Sequence, residues 1–352
     1  MEHDSRNQSA HGENIQIDVF RDGDGEGITA LFREVYGEGY PVRLFYDPEA
    51  IARANAAGDY YSLVARHSSG AIVGVEHLYR SAPFQKVYEA GAGLVRQDCR
   101  NLGLTKKLLE FMCEEWAPQQ TGIEEMFGEP VCNHPYMQKA VAGLRFVEMA
   151  LEIALMPAEA YTQEKSATGR VAALLIFRNY RPKPHRVFLP PVYENPLRFL
   201  YAALDEPREL ATAAEALPTG APSDMVMTVF DFARVARIAV AHAGADFPER
   251  LTALEQEATG RGVQVFQVWL NLAQPGVGAA VEHLRERGYF FGGPLPRWFD
   301  TDGLLMQKLR CPPDFEQIQL HSDRAREILA LVRQDWGDIQ VVHGVKLAHA
   351  GK

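Results

Sequence analysis

The run Tyr88-Glu-Ala-Gly-Ala-Gly-Leu-Val95 is a short apolar stretch of strand type. After the polar turn Arg96 to Gly103 it gives way to helical spacing, with Leu104, Leu108, Leu109 and Met112 on one face. A glycine-bearing turn between a strand and a helix gathers unpaired backbone N–H groups and the positive end of a helix dipole at one point. A phosphate or pyrophosphate is the ligand suited to that arrangement. Taken alone, such a turn more often only connects two elements.

The fuller spacing says more. Val95, Arg100, Gly103 and Thr105 resemble the acyl-CoA-binding motif of the GNAT superfamily of N-acetyltransferases, Arg/Gln-x-x-Gly-x-Gly/Ala after a strand ending in valine. Here it reads Arg100-Asn101-Leu102-Gly103-Leu104-Thr105, with threonine where the family has glycine or alanine. The Thr105 methyl would crowd a pyrophosphate, while its hydroxyl can donate to a phosphate oxygen. The resemblance implies that Arg100, Asn101 and the amides of Leu102, Gly103, Leu104, Thr105 and Lys106 hold the pyrophosphate of acetyl-CoA. It also implies that the backbone at Leu94 and Val95, at the end of a splayed fourth strand, takes the thioester carbonyl and the pantetheine arm.

Acyl transfer from a thioester to an amine needs an oxyanion stabiliser, a base for the ammonium and an acid for the thiolate. For the base the resemblance points to Glu89, eleven residues before Arg100, close to the interval in histone-type members. A carboxylate facing a half-desolvated cleft has a raised pKa and can work through a water. The equal alternative is a strand-end glutamate turned to solvent. Glu76 on the preceding strand and Glu129 on the next are competitors, as is His134, which beside a proline also suits a helix start. Many family members carry a tyrosine as the acid on the helix after the fifth strand. The corresponding region reads Ala140-Val141, and Tyr136, one turn earlier, is a weak substitute.

These residues need a sheet and flanking helices to position them. Ile15 to Phe20 alternates as a first strand, and Gly27 to Tyr36 has helical spacing. Asp47-Pro48-Glu49 is a helix start, with the helix running to Ala57. Tyr40, Arg43, Phe45 and Tyr46 before it are either acceptor contacts or local packing. Tyr60 to Ala65 and Ala71 to Tyr79 form a hairpin, and Val87 to Val95 is the next strand. Ile123 to Val131 is a strand, Asn133 to Gly143 a helix, and Phe146 to Met156 a last strand. The order β-α-α-β-β-β-α-β-α-β over residues 15–156 is that of a GNAT domain. His134-Pro135-Tyr136-Met137-Gln138 is similar to a run in many members, whose closing Gly-Phe is here Arg145-Phe146.

Residues 1–14 read as a disordered lead-in and 157–169 as a linker. Within 170–310, strands are expected at Val171 to Phe177, Arg186 to Leu189, Met225 to Phe230, Val235 to Ala241 and Val263 to Leu270, with a further strand opening at Gly288. Helices are expected at Pro248 to Thr259 and Gly276 to Arg287. The strand, helix and Gly-aromatic order from Val263 repeats that of 123–156, so this half reads as a second, degenerate GNAT copy that completes or covers the acceptor pocket. Its loop Ala241 to Asp246 lacks the phosphate motif. Arg297, Trp298, Asp300 and Asp302 concentrate in one loop, either lining a pocket or making a turn, and their spacing lacks a calcium loop's remaining ligands. Residues 311–352 form a helical tail, with Ser322 to Trp336 amphipathic.

The fold expected is therefore α/β (α+β): two GNAT-like domains, each a mixed, mostly antiparallel sheet flanked by helices. With 352 residues and a formal charge of −10, the chain does not advertise the basic face a nucleic acid requires. Its longest apolar run, Val171 to Phe177, is too short for a membrane span. Four scattered cysteines without a C-x-x-C pair suggest neither zinc nor disulfides and fit a cytoplasmic location. The expected activity is transfer of acetyl from acetyl-CoA to a primary amine of a small molecule or amino acid, without a metal; a homodimer is compatible with it. The competing class is a non-catalytic acyl-CoA sensor or interaction protein. A tRNA-using or long-chain acyltransferase is a weaker third.

Overall fold

In the computed structural model the described residues are 14–157, 169–342 and 344. The expected lead-in and linker therefore fall almost wholly outside them, as does the end of the tail. The protein is a mixed α/β molecule with two main mixed sheets flanked by helices. Its contacts divide it into two compact units, residues 1–128 with 140–146, and residues 129–139 with 147–352. Strand Val147–Pro157 thus groups with the second unit.

In the first unit, β1 (Ile15–Val19), β2 (Tyr60–His67), β3 (Ile72–Tyr79), β4 (Val87–Val95) and β5 (Glu125–Gly128) lie side by side in chain order. The first four are mutually antiparallel, and β4 runs parallel to β5 from Val87↔Glu125 to Ala90↔Gly128. A parallel pair needs a crossover, and here it is α3 (Leu104–Glu110), which continues as a π-helical turn through Trp116. Helix α1 (Asp24–Tyr36) buries Ile28, Leu31 and Phe32, and α2 (Pro48–Ala57) buries Ile51. Asp47 caps α2, its Oδ1 accepting from the Ala50 amide at 3.0 Å, with Pro48 opening the helix. These apolar stripes pack with Phe45, Val64, Val75 and Leu94 into one core. The strand expected over 123–131 is shorter, because Pro130 lies just beyond its end.

The helix α4 (Tyr136–Ala140) is shorter than the expected 133–143, and it straddles the division between the units. In the second unit, β6 (Val147–Pro157) and β7 (Arg170–Asn179) pair antiparallel, and β8 (His185–Leu189) and β9 (Arg208–Thr212) pair parallel. The strands β10 (Asp224–Phe230), β11 (Val235–His242), β12 (Val265–Asn271), β13 (Phe290–Leu295) and β14 (Gly303–Leu309) form a sheet ordered β10-β11-β12-β14-β13. Helices α5 (Glu194–Tyr201), α6 (Phe247–Gly260), α7 (Val277–Glu286) and α8 (Asp323–Val342) accompany it. The β10-β11 pair is antiparallel and β11-β12 parallel, with α6 in the crossover. That local order repeats β3-β4-α3-β5 of the first unit. The tail helix α8 buries Ala325, Ile328, Val332 and Ile339, so it is part of the packed unit. Among the described residues no helix is long and apolar enough to cross a membrane.

Candidate active site

The site is built on β4. After Ala90 this strand has no partner in β5, and its register against β3 slips between Val75 and His77. The slip is a bulge at Ala92-Gly93, with Ala92 held at φ 52°. A bulge leaves backbone groups outside the ladder, and Gly93 is exposed. The strand ends on the buried Leu94 and Val95, from which the chain turns through a 3-10 helix, Gln97–Leu102.

Arg100 is exposed in that turn, with its Nε 3.5 Å from the Val95 carbonyl. Asn101 is exposed and Leu102 half-buried. Gly103 takes φ 69°, a left-handed conformation that favours glycine, and a Cβ built there meets nothing within 4 Å. Leu104 is buried, anchoring α3 to the sheet, while Thr105 is half-buried and Lys106 lies exposed, 3.5 Å from Glu110. The Lys107 amide bonds the Gly103 carbonyl. The amides of Leu104, Thr105 and Lys106 precede it and have no carbonyl one turn back within the helix. The residues expected to hold a pyrophosphate thus form one continuous, open helix start.

Glu89 is half-buried on β4, opposite Tyr79, whose hydroxyl donates to Glu89 Oε1 at 2.5 Å. Tyr60 pairs with Tyr79 on the next strand, and their rings stack with centroids 5.2 Å apart. Burial, followed by the nearby Tyr36, Glu89, Tyr60 and Glu76, holds the Tyr40 hydroxyl well above the usual phenol range. His77 shares this face: its Nδ1 lies 2.9 Å from Ser62 Oγ, its ring is 4.7 Å from Phe45, and burial pushes it down to about 3. Glu89 therefore sits on an aromatic face with a neutral imidazole nearby. Phe45 is core, stacked on Phe32 at 4.2 Å, whereas Tyr46 accepts the Tyr40 amide at 2.9 Å, so these two are local packing.

The competing groups differ from Glu89 in their partners or their state. Glu129 is bonded to Arg237 at 3.0 Å in the second unit. The His134 and Tyr136 rings meet at a tilt, with centroids 4.8 Å apart, and both residues belong to that unit. Glu76, in contrast, is buried beside the bulge, and burial pushes its carboxyl up to about 8. Sequence reasoning missed this burial, and the run Gly91-Ala-Gly93 was the only signal of a bulge.

In the loop at Arg297, Thr301 lines a cavity with His185 and Arg208, while the charged residues behind it are tied up in ion pairs. Arg297, Trp298 and Asp302 are buried, and Arg297 Nη1 bonds Glu206 at 3.0 Å. Arg208 joins Asp302 at 2.6 Å and Glu206 at 2.9 Å, with His185 Nε2 3.1 Å from Asp302. Asp302 is held below the usual carboxylate range by Arg208 and His185, which outweigh its burial. The ligand atoms of His185, Glu206 and Asp302 lie within 4.8 Å of one another, as a metal site requires. Two guanidinium groups already fill the space around these carboxylates.

No family model matches the chain, and no curated protein matches it either. Among solved structures it is similar to a ribosomal-protein-S5-alanine acetyltransferase from Vibrio fischeri, at 12% identity over 47% of this chain and 93% of that one, with a TM-score of 0.39. A spermidine N-acetyltransferase from Vibrio cholerae in complex with CoA and spermine gives 10%, 48%, 96% and 0.37. A GNAT superfamily phosphinothricin acetyltransferase from Sinorhizobium meliloti in complex with AcCoA gives 17%, 48%, 89% and 0.37. At these identities and TM-scores the likenesses carry no functional conclusion.

Proposed function

We propose that the first unit is an acyl-CoA-dependent N-acetyltransferase, moving acetyl from acetyl-CoA to a primary amine of a small molecule or amino acid by direct transfer. The observation that carries this reading is the course of β4, which parts from β5, bulges at Ala92-Gly93 and runs into the open Gly103 turn. Uncommitted amides before α3, with Arg100 beside them, suit the pyrophosphate of the donor. Unpaired backbone on the bulged strand suits the thioester carbonyl and the pantetheine arm. Glu89, beside Tyr79 on the aromatic face, is positioned to take the proton of an amine approaching from that side.

Calorimetry with CoA and a thiol-release screen over amines test the reading. Binding of CoA that Arg100→Glu weakens about tenfold or more, together with turnover of an amine, is expected. Absence of CoA binding overturns it. The half-buried Thr105 at the crowded motif position favours one other reading, a non-catalytic acyl-CoA sensor. Binding with no turnover of any amine would select the sensor.

A further inference from the structure

Departure of a thiolate at neutral pH is eased by a proton delivered to sulfur, and the usual tyrosine position holds Ala140-Val141. Glu76 offers an alternative donor. It is 3% exposed, and among the described residues no hydrogen bond or ion pair reaches its carboxyl. A buried, unpartnered carboxylate is disfavoured by lost hydration, so such a group keeps its proton, in keeping with its rise to about 8.

Its placement is specific. The β3-β4 register pairs Val75 with Leu94 and His77 with Gly91, leaving Glu76 facing the bulge. A Cβ on Gly93 would fall 1.9 Å from Glu76 Oε2, so the carboxyl lies directly over the exposed glycine. Side chains alternate along a strand, so Glu76 shares a face with Gly74, which looks onto Leu108 of α3 at 3.5 Å. Tyr79 and His77 share the opposite face with Glu89 and Gly91. One carboxyl group therefore faces the side of α3, where the donor phosphates would be held, and the other faces the aromatic side.

We propose that the carboxylic acid of Glu76 is the general acid that delivers a proton to the CoA sulfur, while Glu89 across the same bulge takes the proton from the amine. This rests on the acyl-transfer reading above. Starting from the neutral amine, its nitrogen bonds to the acyl carbon and the C–S bond breaks, the electron pair leaving with sulfur. Sulfur takes the Glu76 proton and becomes the thiol. The surplus proton on nitrogen passes to Glu89, and the two carboxyls return to their starting forms by exchanging one proton through solvent.

The titratable groups on the elements around the bulge include Glu89 and Tyr88 on β4, Tyr40 in the loop after α1, Tyr60 on β2 and His77 on β3, and of these Tyr40 feels the Glu76 charge. Burial puts Tyr88 at about 12 and His77 at about 3, and Tyr40 and Tyr60 are raised as well, so none of these four titrates near 8.

The test compares acetyl-CoA with its selenium analogue, whose more acidic selenol leaves without needing a proton. In Glu76→Gln, kcat with acetyl-CoA is expected to fall about 10²-fold or more, with KM for acetyl-CoA changed less than about threefold. With the selenium donor the loss is expected to stay below about threefold. In the wild-type chain, kcat with acetyl-CoA is expected to fall on the alkaline side with a midpoint near 8, and this limb is expected to be absent with the selenium donor. Equal loss with both donors, no loss, or an alkaline limb shared by both overturns the assignment. Should Glu76→Gln fail to fold, the wild-type pair of pH profiles decides. Absence of wild-type turnover with every amine sinks the acyl-transfer reading itself, whereas turnover without donor dependence sinks the Glu76 assignment alone.

Discussion

Tyr79 and Glu89 form a donor and acceptor pair that Gly91 leaves room for, since a Cβ there would lie 2.8 Å from the Tyr79 hydroxyl. Tyr79→Phe removes the donor and is expected to lower kcat/KM about tenfold, the cost of one hydrogen bond to a charged group. Glu89→Gln is expected to cost about 10² to 10⁴, read in the same steady-state assay. Glu76 gives a stability prediction whose sign is opposite to that of an ordinary salt-bridged carboxylate. Its folded pKa is raised, so between its ordinary value of 4.5 and about 8 the folded state keeps a proton that the unfolded chain has released. Stability therefore falls as pH rises through that window. Glu76→Gln removes the penalty, so its melting temperature relative to wild type is expected to be higher at pH 8 than at pH 4.5. That Glu89 lies on the strand running into the Arg100 turn was legible in the sequence, because both belong to one continuous strand and turn. The state of Glu76 was not, because it depends on which face of β3 is covered.

At the level of elements, the bulge holds a non-glycine residue in the left-handed region, at a cost of about 1–2 kcal/mol. Ala92→Gly is expected to recover up to about 1 kcal/mol in urea unfolding while preserving the bulge, and Ala92→Val to lose stability. Gly103→Val is expected to be strained in the same way, at φ 69°, and to weaken CoA binding in calorimetry by narrowing the turn before α3. The strands and helices of the first half were legible because their apolar residues repeat every second or every third to fourth position. Where that contrast disappears, elements were missed. The strand β14, Gly303-Leu-Leu-Met-Gln-Lys-Leu309, lies between β12 and β13 with Gly303 to Gln307 buried, so it shows no alternation. The helix α5 is eight residues long with Pro196 in its first turn, too short and too proline-flanked for its period to register.

Across the whole chain, the two units repeat a local order of strands but treat the turn before their crossover helix differently. In the second unit the Gly244 amide donates to Ser223 Oγ at 2.9 Å, and that of Ala245 to the Pro218 carbonyl at 2.9 Å. A Cβ on Gly244 would meet the Ala221 carbonyl at 2.3 Å, so the segment 218–223 closes this helix start. Calorimetry is therefore expected to find one CoA site per chain, and a stoichiometry of two would contradict the contrast between the turns. The second unit is instead pinned by its buried charges. Arg297→Ala leaves Glu206 with Arg208 as its remaining guanidinium partner and is expected to cost about 2–3 kcal/mol in chemical unfolding, because a charge-assisted hydrogen bond is lost and a buried site is emptied.

The sequence by itself determined the order of elements across 15–156, the turn at Gly103 and the candidacy of Glu89, all of which follow from residues within about one strand and one helix of each other. Tertiary structure alone decided that β4 bulges at Ala92-Gly93, that Glu76 is sealed against Gly93, and that Arg297 and Asp302 are buried, each in ion pairs with other residues. Those outcomes depend on what packs over a residue from distant parts of the chain, and burial of that kind sets the charge state a side chain can keep.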